Sequence, residues 1–283
     1  MKNQTKRILL FLIAIPSLSA LFFWGNIYYF LPLNILVLIL SGLSSYEMTK
    51  MFKAIDVKVN TLFMTIIGVF LPLVTWLDLI GLFKGNALLF FIMAVVILIF
   101  IITIFKSNNN GFKDTLPAMA ASLMIIIYPG LFITHIVKMT FLPNSSIILF
   151  IFTCIVYLND SNAWLFGVLF GKKSRGFIAV SPNKSIVGFL GGIFASIIVA
   201  VSSKFLFPEV ITGSIPLLIL LGFVAGVTTI LGDLVESGMK RSSGIKDSGR
   251  VIPGRGGMLD SIDSLIFAAP GFYYVILLAT AGL

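Results

Sequence analysis

The sequence predicts an all-α, polytopic integral membrane protein with about nine transmembrane helices and a cytoplasmic N-terminus. Three observations carry that expectation. The first is composition: 58% of the 283 residues are hydrophobic and 11% are charged, against ~25% charged in an ordinary soluble domain, and the mean hydropathy is +1.09. A single soluble core cannot hide so many apolar side chains, so the solvent has to be lipid. The second is the recurrence of apolar runs of spanning length, and the third is the distribution of cations between them.

The runs fall at roughly 8–24, 27–45, 60–81, 86–105, 116–137, 146–168, 186–203, 213–232 and 262–282. The first follows Lys2, Lys6 and Arg7 like a signal peptide, but it is long and no small-x-small cleavage site precedes a soluble domain, so it reads as a span. Glycine and proline inside the runs are tolerable because neighbouring helices satisfy freed backbone groups. The sixth run turns polar at Asn159-Asp160-Ser161-Asn162 and then apolar again until Gly171. It is either a span followed by a short helix or one long helix with a polar waist. With the N-terminus inside, 17 of the 20 Lys and Arg fall on the inner side, and only Lys84, Lys138 and Lys204 fall outside. That asymmetry follows the positive-inside rule and puts the C-terminus outside.

The same count explains most of the net charge of +9 without a nucleic-acid partner, which would need a basic patch on a soluble fold. Cys154 is the single cysteine and lies in an apolar run, where it reads as a small hydrophobe. One Cys and one His, His135, cannot build a Cys/His zinc site. By chemistry the chain divides into residues 1–145, apolar spans with short, plain loops, and residues 146–283, spans joined by polar loops at the cytoplasmic face. Seven of the eleven carboxylates lie beyond Asp114. No internal repeat is evident, which argues against an inverted-repeat transporter.

Three polar clusters lie on the inner side. They are N-D-S-N-A-W at 159–164 followed by G-K-K-S-R at 171–175, then S-P-N-K-S at 181–185, and a long segment from Gly232 to Asp263. In the last, Asp233 and Glu236 are three residues apart, as are Asp260 and Asp263, so on a helix each pair shares a face. Carboxylates at the rim of an apolar span are costly unless partnered, either by Lys and Arg or by a cation. Oxygen donors without useful His or Cys point to Mg²⁺, which shares its shell with substrate phosphates. Lys240, Arg241, Lys246, Arg250 and Arg255 flank these acids, and Lys172, Lys173, Arg175 and Lys184 come from the neighbouring inner loop. Glycines 249, 254, 256 and 257 would let backbone amides approach an anion. Carboxylates, a divalent cation and clustered basic groups are the equipment of phosphoryl or nucleotidyl transfer. The spacings Gly188/Gly192 and Gly222/Gly226 read as close helix packing.

Residues 237–263, S-G-M-K-R-S-S-G-I-K-D-S-G-R-V-I-P-G-R-G-G-M-L-D-S-I-D, resemble the signature of phosphatidate cytidylyltransferases (CDP-diacylglycerol synthases). Ser237, Lys240, Arg241, Lys246, Asp247, Gly249, Pro253, Gly256, Gly257, Asp260 and Asp263 are in register with it, and N-D-S-N-A-W and S-P-N-K-S are similar to two upstream elements of that family. Three positions differ: Arg255 stands where the family has His, Ser261 where it has Arg, and Val187 where an acid is frequent. The resemblance implies transfer of a cytidylyl group from CTP to phosphatidate, with Mg²⁺, giving CDP-diacylglycerol and pyrophosphate in phospholipid biosynthesis.

It implies metal ligands Asp233, Asp260 and Asp263; catalytic groups Lys240, Arg241, Lys246, Asp247 and Arg255; and substrate contacts at Asn159, Asp160, Ser181, Lys184, Ser237, Gly256 and Gly257. Arg255 would supply the positive charge absent at Ser261. The expected partners are CTP, phosphatidate and the surrounding lipid of the cell's inner, cytoplasmic membrane, with a homodimer as the candidate assembly and no nucleic acid. The alternatives are a CTP-dependent lipid or polyprenol kinase, which would release CDP instead of pyrophosphate, and a degenerate homologue without turnover. A transporter would place its charges near the bilayer middle rather than at one face.

Overall fold

The structure is a computed structural model that describes residues 16–25, 27–83, 85–107, 111–252, 254 and 256–280. Among the described residues there is no β-sheet, and eight helices are long and apolar enough to cross a membrane. They are α1 (Leu31–Lys53), α2 (Thr61–Leu79), α3 (Ala87–Ser107), α4 (Thr115–Met139), α5 (Ser145–Leu169), α6 (Ile186–Leu206), α7 (Ile215–Ser242) and α8 (Leu259–Thr280). The protein is a polytopic membrane protein, as its composition requires. Residues 16–23 are helical too. The earlier part of the first expected span, 8–24, lies outside the described residues.

Two helices overrun their apolar stretches. The second expected span ends at 45, but α1 continues to Lys53; the eighth ends at 232, but α7 continues to Ser242. Hydropathy marks where lipid ends, whereas a helix continues for as long as its next turns are hydrogen-bonded and packed. In α1 the extension is held by protein contact: Ser44, Ser45, Glu47 and Thr49 are all buried. The sixth run is one continuous helix, α5, which ends just before Gly171.

The chain forms two compact units. One comprises the chain to Phe141 together with Met239–Ser261; the other comprises Leu142–Gly238 and Ile262–Leu283. In the first unit α1 packs on α2 through small residues. A Cβ at Gly68 would overlap the Ser45 hydroxyl, so only glycine lets these helices approach. The π turn Ile126–Phe132, which contains Pro129, interrupts α4. Such a turn widens the ladder and leaves carbonyls without regular partners. The Ser41 hydroxyl on α1 answers this, lying 2.8 Å from the Pro129 carbonyl and 2.6 Å from that of Gly68.

In the second unit α5, α6 and α7 meet along a glycine seam. A Cβ at Gly188 would sit 2.6 Å from the Ala163 carbonyl, one at Gly192 3.1 Å from the Ala163 methyl, and one at Gly222 2.5 Å from Cα of Ile197. Asn159 closes the seam. Its amide nitrogen donates to Ser196 Oγ at 2.9 Å and to the Gly226 carbonyl at 3.2 Å, so one α5 side chain ties α6 and α7. The Ser185 hydroxyl caps α6 by accepting from Gly188 N at 3.0 Å.

Because the obstacle at Gly222 is backbone, it cannot move aside. Gly222→Ala is expected to lower stability by ~1–3 kcal/mol, while Leu190→Ala, at a residue 62% exposed on α6, should stay within ~0.5 kcal/mol. Unfolding of the purified protein in detergent measures both, and equal effects would show that the seam is not tightly packed.

Candidate active site

The polar segment between α7 and α8 belongs to the first unit from Met239 onward. The overrun of α7 delivers Lys240 and Arg241 in its last turn, where cations suit the negative end of a helix. The chain then turns at Gly244 (φ 67°) and folds back on itself where Ile252 and Gly256 exchange backbone hydrogen bonds of 2.9 and 3.1 Å. Gly254 and Gly256 have φ of 84° and 121°, a region in which a side chain is strained. Then α8 begins, and Asp260 lies in its first turn.

Asp260 gathers the loop. Its Oδ2 accepts from Ser248 N at 2.8 Å, from Gly257 N at 2.7 Å and from Ser248 Oγ at 2.9 Å, while Oδ1 faces Lys240 Nζ at 2.6 Å. The pair is largely buried, with the lysine side chain 17% and the aspartate side chain 6% exposed. Gly256 leaves room for it, since a Cβ there would lie 2.6 Å from Oδ2. This corrects one expectation. The N–H groups of Gly256 and Gly257 are not presented to an anion, because Ile252 O and Asp260 Oδ2 take them within the loop. Arg241, Lys246 and Asp247 are exposed. Pro253 and Arg255 lie outside the described residues, and Ser261 donates to the Gly257 carbonyl at 3.1 Å.

A second carboxylate reaches the same loop from α1. Glu47, 2% exposed, accepts from Met258 N at 2.9 Å, Leu259 N at 2.8 Å and Ser248 Oγ at 3.0 Å. Residues 1–145 therefore hold more than plain spans, and Glu47 is the residue that sequence reasoning missed. The signal was present: Glu47 is the first acid of the chain and sits at the end of a strongly apolar run among Ser41, Ser44, Ser45 and Thr49.

The second unit carries its own charged group. Lys184, in the loop before α6, is ion-paired with Asp233 of α7, and Ser237 Oγ lies 3.4 Å from Asp233 Oδ1, one turn along. Asp263 is buried on α8 and accepts from Ser264 N at 2.6 Å. A Cβ on Gly232 would lie 2.8 Å from the Asp263 carbonyl, so α7 and α8 touch beside these two acids. Glu236 is fully buried; Asp160 and Ser181 are partly exposed. Asn159, expected at the substrate, is fully buried with its amide nitrogen committed to the helix seam. His135 is buried within α4, with Nδ1 3.2 Å from the Phe132 carbonyl.

The donor chemistry fits a hard divalent cation, since every acid here offers oxygen alone. Among the described residues, however, no three His, Cys, Asp or Glu side chains form a ready cluster. Asp263 and, once its pair with Lys184 opens, Asp233 suit a cation that completes its shell with water and phosphate oxygens. Asp260 would first have to release Lys240 or the loop amides.

The profile of the cytidylyltransferase family matches residues 5–279. The chain belongs to this family. It is 39% identical over 179 residues to a phosphatidate cytidylyltransferase of Staphylococcus epidermidis, covering 63% of this chain and 65% of the relative. The corresponding protein of Staphylococcus haemolyticus is 39% identical over 168 residues (59% and 61%), and that of Staphylococcus aureus strain COL is 37% identical over 181 residues (63% and 65%). The aligned part thus spans a little under two thirds of the length of these relatives.

The Lys240–Asp260 pair gives a direct test of the geometry. Removing one partner strands a buried charge, so Lys240→Met is expected to cost ~3–5 kcal/mol. Combining it with Asp260→Asn should cost at least ~1 kcal/mol less than the sum of the single variants. Strictly additive losses in detergent unfolding would show that the two groups do not interact.

Proposed function

We propose that the protein transfers a cytidylyl group from CTP to phosphatidate at the cytoplasmic face of the cell's inner membrane, giving CDP-diacylglycerol and pyrophosphate. The observation that carries this reading is the pair of lysines, Lys184 and Lys240, each held by an aspartate at the rim of an apolar helix. Ammonium groups fixed by buried or half-buried carboxylates beside lipid suit two phosphate-bearing substrates, one soluble and one anchored. The names of the relatives and the in-register signature support the same reading.

In the proposed reaction a phosphate oxygen of phosphatidate forms a bond to the α-phosphorus of CTP. The bond from that phosphorus to the bridging oxygen breaks, and pyrophosphate leaves with the electron pair. The attacking phosphate is already anionic, so the protein needs no strong base. Its task is to bring two anions together and to stabilise the leaving charge. Lys240, Arg241, Lys246 and Arg255 meet that charge, with Asp247 orienting the neighbouring cations, while Ser181, Lys184 and Ser237 hold phosphate oxygens. Mg²⁺, held by Asp233 and Asp263, would supply charge neutralisation on the triphosphate. Asp260 acts in this scheme by holding Lys240 and the loop.

Purified protein given labelled CTP, phosphatidate and Mg²⁺ should form CDP-diacylglycerol and pyrophosphate; release of CDP would instead identify a kinase. Asp263→Asn should abolish turnover or sharply raise the Mg²⁺ needed, because an amide is a poor ligand for Mg²⁺. Asp260→Asn should lower turnover without moving the Mg²⁺ dependence. The reverse pattern would transfer the metal role to Asp260. For the orientation, with Cys154 first replaced, Lys173→Cys should react only from the cytoplasmic side and Glu209→Cys only from outside. Labelling of Lys173→Cys in intact cells by an impermeant reagent would invert the topology.

A further inference from the structure

Glu47, 2% exposed, is a carboxylate whose hydrogen bonds go to the segment that carries the signature residues. It lies on α1, and its partners are 201 to 212 residues further along the chain. Two of these are the amides of Met258 and Leu259, the orphan donors at the start of α8. A helix start normally takes its cap from the residue just before it. Here the chain before Leu259 is glycine-rich and offers no such side chain, and α1 supplies the oxygens instead. The third partner, Ser248, lies between Glu47 Oε2 at 3.0 Å and Asp260 Oδ2 at 2.9 Å, so one hydroxyl stands between the two carboxylates and its single proton serves one of them at a time.

The glycines fit around this group. A Cβ at Gly249 would overlap Glu47 Oε1, and one at Gly257 would lie 2.5 Å from Oε2. Neither Gly249 nor Gly257 has the positive φ that by itself would demand glycine. Their requirement for glycine is therefore steric, and its cause is the Glu47 carboxylate together with Ser248.

We propose that Glu47 is a positioning residue. It fixes the register of the 246–259 loop against α1, and so sets where Asp260 and Lys240 stand during cytidylyl transfer. The proposal rests on the reaction proposed above for its catalytic consequence, but not for the anchoring itself. The carboxylate is needed because each of its oxygens accepts a backbone amide, Oε1 that of Met258 and Oε2 that of Leu259, while the single proton of the Ser248 hydroxyl is shared between Oε2 and Asp260. A glutamine of the same shape has one oxygen and one NH₂, so at least one N–H or O–H donor would face another donor. Packing alone would tolerate that change.

The experiment compares wild type with Glu47→Gln, Gly249→Ala and the double variant in detergent. It uses hydrogen–deuterium exchange across residues 246–259 and steady-state kinetics with CTP and phosphatidate. Glu47→Gln is expected to raise exchange at Met258 and Leu259 at least ~10-fold while residues 31–45 stay as protected as in wild type, and to lower kcat ~10²-fold with KM for CTP nearly unchanged, the signature of misplacement rather than lost binding. Gly249→Ala, which keeps the carboxylate but pushes it away, should reproduce both effects, and the double variant should add little to either. Unchanged exchange in Glu47→Gln overturns the proposal, as does raised exchange with wild-type kcat, or additive losses in the double variant. If the wild type makes no CDP-diacylglycerol, the assigned reaction falls, and the exchange measurements still decide whether Glu47 anchors the loop.

Discussion

A carboxylate beside lipid has to be answered, and the polar part of this protein is built from the answers. Water is scarce at the rim of an apolar helix, and an ionised acid there costs several kcal/mol unless opposite charge or converging donors replace its hydration. Three acids show three solutions. Asp233 is met by one lysine from a neighbouring loop. Asp260 takes a lysine on one oxygen and two backbone amides on the other. Glu47 is met by two backbone amides, and the Ser248 hydroxyl lies between the two acids and can give its proton to either. Each solution fixes a piece of chain that would otherwise be a loose glycine-rich loop.

These answers differ in what they leave available. A lysine on a carboxylate keeps further N–H donors, since an ammonium has three and one aspartate oxygen uses one. Lys184 is therefore held in place by Asp233 without spending all its donors on that carboxylate. Backbone amides have a single proton, and those of Gly256 and Gly257 are spent inside the loop. The glycines of this loop thus serve shape, and its charge is offered outward by side chains. That reverses the reading in which a glycine-rich stretch next to cations is a backbone cradle, although composition alone suggests it.

The membrane architecture was legible because it depends on amounts. The count of apolar residues and the side on which cations fall do not depend on which residue touches which. Helix ends were less legible for the reason seen at α1 and α7, where buried small and polar residues carry the helix past its apolar run. The signature between Ser237 and Asp263 marked a segment, but sequence order could not supply its partners. Lys184 and Asp233 are 49 residues apart, Lys240 and Asp260 are 20 apart, and Glu47 is more than 200 from its loop. Asn159 shows what sequence order leaves out in the other direction: its amide nitrogen ties α5 to α6 and α7, a packing role that a polar residue in an apolar run does not announce.

The arrangement around Ser248 accounts for the order of residues in the signature segment. Ser248 is buried and donates or accepts at both Glu47 and Asp260. Gly249 follows it because Glu47 fills the space a side chain would take, and Gly257 comes before Met258 because its Cβ would strike both the serine and the glutamate. Lys246 and Asp247, just ahead of the serine, are thereby fixed at their backbone while their side chains remain exposed. A buried hydrogen-bonded knot with charged residues on its outer edge is how a short loop can be rigid and still reach solvent. Exposed cations on such an anchor lose less freedom on meeting a partner than the same cations on a free loop, because the backbone entropy is already lost on folding. The buried Glu47 and Ser248 thereby limit the motion of the exposed Lys246 without reaching solvent themselves.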